Sequence, residues 1–199
     1  MDPSATPETN EGFAPSRDAE AIVRRFVEHW GGMARAWGIN SSMGELFALL
    51  YITGEDWTAE DLRRWLHVSR GNVSMNLREL LAWGVVHKLH RAGERRELYR
   101  AESDVWTLFR RILTERKRRE LEPTLEVLDV LASASEGAPE LQTLKTRVEP
   151  LRRFFRMIEA LSERLATLDP RDAAELGGLL GLDDLDAEAD AAVREGGAE

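Results

Sequence analysis

At 199 residues and 43% hydrophobic, the chain can bury one good core plus a helical appendage, and its lack of cysteine excludes disulfides, thiolate zinc sites and thiol catalysis. No run approaches the roughly 18 consecutive apolar residues of a membrane span, and the start lacks a signal peptide's basic and apolar stretches, so a cytoplasmic protein with no membrane contact is expected. A net charge of −9 argues against nucleic acid only as an average, so its distribution along the chain decides.

Residues 1–18, with Pro3, Pro7 and Pro15 among acids and small residues, read as a flexible arm. From Ala19 to Trp37, the residues Ile22, Phe26, Trp30, Met33 and Trp37 recur at helical steps, the stripe of a helix lying on a core. Gly38 is placed to end it as a left-handed cap. The stretch INSSMGELFALLYITG then predicts a second helix capped by Ser41 or Ser42, burying Leu46, Leu49 and Leu50 and closing at Gly54. Thr58 opens a third, TAEDLRRWLHV, with acids in the first turn where the helix dipole favours them and Leu62, Trp65 and Leu66 facing inward. Ser69 caps a fourth, in which Val73, Leu77, Leu80 and Leu81 share one face, and Gly84 terminates it. Val85 to Arg91 and Arg96 to Arg100 are short β-prone runs around AGER, hence a hairpin with a basic tip. Helices followed by such a hairpin make a winged helix-turn-helix over residues 19–104, its first helix (19–38) also contributing to a dimer interface.

Val105 to Ala132 is a long helical pattern with a kink expected at Pro123. Its middle, ERKRRE, is charged all round and is expected to bridge open solvent or approach phosphate. After the break SASEGAP, Pro139 suits a first helical turn, and apolar residues at 144, 148, 151, 155, 158 and 165 form a heptad seam interrupted at Ser162 and bent near Pro150. Two long helices with such seams call for a second protomer, so residues 105–168 read as a dimerisation region and the protein as a homodimer. The fold class is therefore mainly α with a small β-hairpin wing: a winged helix-turn-helix plus long C-terminal dimerisation helices. Residues 169–199 read as an acidic, mobile tail.

Charge is not evenly spread. From Leu62 to Arg100 nine Lys or Arg stand against three acids, whereas residues 169–199 carry ten acids against Arg171 and Arg194. A basic block in an acidic chain is the footprint of a nucleic-acid face. With Val73, Leu77 and Leu80 turned inward, the fourth helix presents Gly71, Asn72, Met75, Arg78 and Glu79 outward, with Ser74 at the flank. Asn pairs with adenine, Arg with guanine, and Met packs on a thymine methyl. Ser69, the first free amides of the helix and Arg70 suit a phosphate, and Gly71 lets the first turn approach the DNA backbone. Arg91, Arg95 and Arg96 at the wing are placed for the minor groove or its phosphates. Double-stranded DNA is thus the expected partner. The alternative is a winged helix used as a protein-binding adaptor without DNA.

Phe26, Trp30, Trp37, Trp106 and Phe109 are a candidate effector pocket, since aromatic faces attract cationic ligands, although an aromatic stripe at helical spacing is ordinary core far more often. A small-molecule effector would then act by preferring one arrangement of the two reading heads. An enzyme is not expected. There is no Gly-rich phosphate loop, nucleophile elbow or metal-helix motif. His87 and His90, three apart on a predicted strand, point to opposite faces, so no metal and no cofactor is expected.

The segments FVEHWGGMARAWGI, SRGNVSMNLRELLAWGVV and RAGERRELYRAE together resemble the GbsR-type branch of the MarR-like transcriptional regulators. The likeness runs from about Ile22 to Leu131 and includes the wing residues Gly93, Glu94, Arg95 and Arg96 with a following Tyr99. It implies a homodimeric winged-helix repressor, with Ser69, Arg70, Asn72, Ser74 and Arg78 in recognition-helix roles and Arg95 and Arg96 in wing roles. The helices after Pro139 and the acidic tail carry no motif of that branch.

Overall fold

A computed structural model describes residues 16–91, 96–137 and 139–168, and the chain divides into two compact units between Ile112 and Leu113. Residues 1–15 of the expected arm, the expected wing tip at 92–95 and the acidic segment from 169 therefore lie outside the described residues, whereas Arg17 and Asp18, counted in that arm, already form helix.

Cap chemistry sets the helices of the first unit. Helix α1 (Arg17–Ala36) starts where Ser16 Oγ accepts from the Ala19 amide and stops before Gly38 at φ +75°. Helix α2 (Ser41–Thr53) is capped by Asn40, not by either serine: Asn40 Oδ1 accepts from the amides of Ser42 and Met43 at 2.9 and 3.4 Å. An Asn side chain can take two first-turn donors at once, which moves the start one residue earlier. Gly54, at φ +65°, closes α2.

A two-residue strand not foreseen from the sequence, β1 (Trp57–Thr58), comes next. Thr58 both ends β1 and caps α3 (Ala59–Leu66): its Oγ1 accepts from the Asp61 amide and donates to Asp61 Oδ2. His67, in the left-handed conformation at φ 55°, ends α3. Helix α4 (Arg70–Ala82) follows at once from Ser69, whose Oγ accepts from the Asn72 amide at 3.2 Å. Strands β2 (Val86–Leu89) and β3 (Leu98–Ala101) form the hairpin, and β1 adds to the outer edge of β3 in antiparallel register, Trp57 opposite Tyr99. The sheet order β1-β3-β2 ties the wing to the segment that starts the helix-turn-helix. Helices α2 and α3 packed on α4, with α1 against α2 and a three-stranded antiparallel sheet, make a winged helix-turn-helix.

The core of this unit centres on α2, where Leu46, Ala48, Leu49 and Leu50 are wholly buried, with Leu62, Val73, Leu77, Leu80 and Val86 closing round it. Helix α1 is rotated relative to the aromatic stripe. Val27, Gly31 and Ala34 are its buried residues, while Ile22 is 72% and Trp37 52% exposed. Small residues decide this. A Cβ added at Gly44 would lie 2.5 Å from Ala34 Cβ, and one at Gly31 would lie 2.6 Å from Glu45 Cγ, so the two backbones approach along that line, leaving Phe26 and Trp30 half-buried against the core and the stripe's ends, Ile22 and Trp37, exposed. The first turns of α5 (Val105–Arg116) complete this core through Leu108 and Ile112.

In the second unit a π-helical turn, Lys117–Leu121, precedes α6 (Glu122–Ala134). Pro123 lacks the N–H that would bond to Arg119 O, and its ring crowds that carbonyl. The chain widens one turn earlier instead of kinking at the proline, and the Glu122 amide donates to Lys117 O. The charged turn is not left bare. Glu115, a buried carboxylate, takes Arg118 and Arg119, while Lys117 pairs with Glu163 at 2.5 Å. After a 3-10 turn at Pro139–Leu141, α7 (Gln142–Thr167) packs against α6 and the π-helical turn. The seam thus finds a partner within the chain, and Ser162, expected to interrupt it, is buried with Val148. Arg152 and Arg156 both reach Asp129 on α6. Leu151, expected in the seam, is 46% exposed instead and lies with Phe154, Met157 and Leu161 on an exposed apolar line of α7.

Candidate nucleic-acid interface

Helix α4 is gripped from one side only. Val73, Leu77 and Leu80 fix it to the core, and the opposite side carries exposed Gly71, Ser74, Met75 and Arg78 with half-buried Asn72 and Glu79. A Cβ at Gly71 would meet nothing within 4 Å, so the fold itself does not require glycine there. Met75 is 56% exposed with no apolar neighbour on its face, and Arg78, exposed, is in no ion pair among the described residues. Ser69 stands exposed at the start, its hydroxyl committed to the cap, with Arg70 projecting beside it.

One residue of the buried side is polar. Asn76, 1% exposed, donates from Nδ2 to Asn72 O at 3.0 Å and to Asn72 Oδ1 at 2.9 Å. Sequence reasoning passed over it, although an Asn between Val73 and Leu77 on a core-facing arc is itself a signal.

The basic block is more neutralised than a count of charges suggests. Glu60, in the first turn of α3, gathers Arg63 at 2.6 Å, Arg64 at 3.7 Å and Arg70 at 3.9 Å. The hydrogen bond from Arg63 holds its carboxyl below the ordinary carboxylate value. Asp56, whose side chain is 4% exposed, binds one arginine from each stem of the wing, Arg91 at 2.5 Å and Arg100 at 2.6 Å. Arg91 is therefore an exposed cation tethered at the wing root rather than one projecting from the tip. Arg96 is exposed, and Arg95 lies outside the described residues. The Glu60 pairs with Arg63 and Arg64 follow helical spacing, but Asp56 could not be assigned from the sequence, because it precedes Arg91 and Arg100 by whole elements.

Two further contacts define the wing root. Tyr99, buried on β3, donates to Glu97 at 3.0 Å, and burial with that carboxylate pushes its phenol up to about 12. Arg111, on the first turns of α5, donates to the carbonyl of Gly84, pairs with Glu102 at 3.2 Å and lies 3.4 Å from His87 Nε2. Gly84 suits this doubly: its φ is +72°, and a Cβ would stand 3.4 Å from the Arg111 side chain. His90 falls beyond the end of β2, and no cluster of metal-ligating side chains occurs among the described residues.

Of the aromatics singled out for an effector, Trp30 and Trp37 line one apolar cavity of about 60 Å³, together with Met33, Met43, Phe47 and Trp83. Phe26 stacks against Trp30 at 5.3 Å between ring centres and does not line it. Trp106 and Phe109 meet edge to face at 6.1 Å, are 40% and 39% exposed, and do not line it.

No protein-family profile matches the chain. Over 131 residues, 65% of this chain and 76% of the relative, it is 29% identical to the HTH-type transcriptional regulator MmpR5 of Mycobacterium tuberculosis (strain ATCC 25618 / H37Rv). Over 90 residues, 45% of this chain and 51% of the relative, it is 26% identical to the "Putative HTH-type transcriptional regulator YvaV" of Bacillus subtilis (strain 168). Both are named as regulators rather than enzymes. A crystal structure described as a transcriptional regulator superposes with a TM-score of 0.57 at 24% identity, covering 73% of this chain and 95% of that one, which shows the same fold. No helix among the described residues is long and apolar enough to cross a membrane.

Proposed function

We propose that this chain is a DNA-binding transcriptional regulator, a homodimeric repressor that reads a near-palindromic operator by placing α4 of each protomer in the major groove. The observation that carries the reading is the outer side of α4: a helix fixed by its core face, capped at Ser69, with Ser74, Met75 and Arg78 free to meet base edges. Ser69, Arg70 and the first-turn amides with Gly71 take phosphate, Asn72 and Arg78 take bases, and Arg91, Arg95 and Arg96 serve the wing. Its standing among transcriptional regulators rests on this architecture together with relatives of that name.

Homodimerisation is supported by the exposed line of Leu151, Phe154, Met157 and Leu161 on α7, a run of large apolar side chains that water does not favour. Membership of the GbsR-type branch rests on the wing and α4 motifs. Modulation by a small molecule belongs to the same reading. The cavity beside Trp30 and Trp37 is apolar but far smaller than the roughly 300–1,000 Å³ of an ordinary ligand site, so an effector there must open it and thereby favour one state.

Selection of bound duplexes from random DNA, followed by a salt titration on the winner, tests the function. An enriched near-palindrome with half-sites on the order of 34 Å apart, bound with a steep salt slope, is the expected result. Failure to enrich any sequence, with binding indifferent to salt, overturns the reading in favour of a protein-binding winged helix.

A further inference from the structure

Asn76 is difficult to justify as a packing residue. It sits 1% exposed on the same side of α4 as Val73, Leu77 and Leu80, where an apolar side chain of similar size would cost nothing in hydrogen bonding. Asn in a helix interior also competes with the backbone, which lowers helix stability rather than raising it. A buried polar group of this kind calls for an explanation in what it binds. Here Nδ2 bends back one turn and holds a single residue twice, at the carbonyl and at the side-chain oxygen of Asn72. With the Ser69 hydroxyl on its amide, Asn72 is thus engaged at its N–H, its C=O and its Oδ1.

We propose that Asn76 is a positioning residue for base recognition: from the buried side of α4 it fixes which end of the Asn72 amide meets the DNA. The argument rests on the DNA-reading role of α4 given above. Asn72 Oδ1 points toward Asn76, so Nδ2 points away from it. Turning the amide over would set two NH2 groups face to face, two donors with no acceptor between them. The sense of the amide is thereby locked before DNA arrives. Asn72 offers its donor to a purine N7 or a thymine O4, and the second lone pair of Oδ1 remains beside it for an adenine N6. A flexible Asn would have to be ordered on binding and could present either end, so discrimination at its base pair would be weaker.

The test uses the full-length chain and the duplex enriched by the wild type. Asn76→Leu removes both contacts at similar bulk. Asn76→Thr keeps a hydroxyl for the Asn72 carbonyl but cannot reach Oδ1, and serves if the leucine variant does not fold. Expected, whichever way thermal stability moves, are an unchanged salt slope and a loss on the order of 3- to 10-fold in discrimination at one base pair per half-site, the factor by which ordering one side chain weakens binding. That base pair is the one whose preference Asn72→Ala abolishes. In the free protein, 15N relaxation should show a lower order parameter for the Asn72 side-chain amide in both Asn76 variants, a readout of side-chain ordering that a merely structural role would not move. If the wild type enriches a motif and both Asn76 variants keep its full discrimination, the proposal fails while the DNA-reading role stands. If the wild type enriches nothing, the role falls and the proposal with it.

Discussion

The closeness of α1 and α2 makes a quantitative prediction at Gly44. A methyl group there would stand 2.5 Å from Ala34 Cβ, where ordinary contact begins near 3.4 Å, so the two helices must part by about 1 Å. Neither atom lies on a flexible side chain that could swing aside. Overpacking of this kind costs about 1–3 kcal/mol. Against it, Gly→Ala inside a helix gains up to about 1 kcal/mol, less near the first turn, where Gly44 lies. Gly44→Ala should therefore lose about 1–2 kcal/mol net. Ala34→Gly alone should lose about 1–2 kcal/mol, from a buried methyl and from glycine in a helix. In the double variant the new methyl occupies the space the old one left, its next neighbours being Trp30 O at 3.3 Å and Gly31 Cα at 3.5 Å. The pair should then cost about 1 kcal/mol, well short of the sum of the single losses. Urea unfolding of all four proteins measures this. Strict additivity, or a Gly44→Ala variant more stable than the parent, would refute close helix approach as the reason α1 buries Val27, Gly31 and Ala34 most deeply.

Arg78→Ala should lower discrimination between the operator and unrelated DNA by about 1–3 kcal/mol, read by competition binding, while thermal stability holds. Equal losses on every sequence would instead mark Arg78 as a phosphate contact. Phe154→Glu on the exposed line of α7 should weaken self-association by about 2 kcal/mol or more, roughly 30-fold, in sedimentation equilibrium. A wild type that sediments as a monomer at tens of micromolar contradicts the homodimer outright. Acid should destabilise the second unit. The Arg118 hydrogen bond, helped by Arg119, holds the Glu115 carboxyl below its ordinary value of 4.5, and Arg153 does the same for Glu149. Stability from depressed carboxylates is fully present above pH 4.5 and drains away as pH falls through their lower folded values. Glu115→Gln should flatten that acid limb in urea titrations, and an unchanged limb would count against the pairing.

What could be read from the sequence was what depends on near neighbours. Ser69, Thr58, Gly38, Gly54 and Gly84 act through amides and backbone angles a few residues away, so the starts and stops of α3 and α4 and the exposed outer side of α4 were legible. The caps failed only at Asn40, where an amide oxygen reaches two donors and pre-empts the serines beside it. Long-range choices were hidden. Strand β1 exists because β3, forty residues later, offers an edge to Trp57 and Thr58. The rotation of α1 depends on glycines of two helices meeting, which no single-helix periodicity contains. Likewise Asp56, with arginines 35 and 44 residues away, moderates a basic block that composition makes look bare.

The guanidinium of Arg111 has a mechanical meaning for the first unit. One flat group fastens the opening of α5 to the stop of α4 at Gly84 and, through Glu102 and beside His87, to the stems of the wing. A single nitrogen, Nη1, makes all three of these contacts, to Gly84 O, to Glu102 Oε2 and beside His87 Nε2. Any twist of α5 must either tear that fastening or haul the reading helix and the wing along with it, as a key turns a bolt.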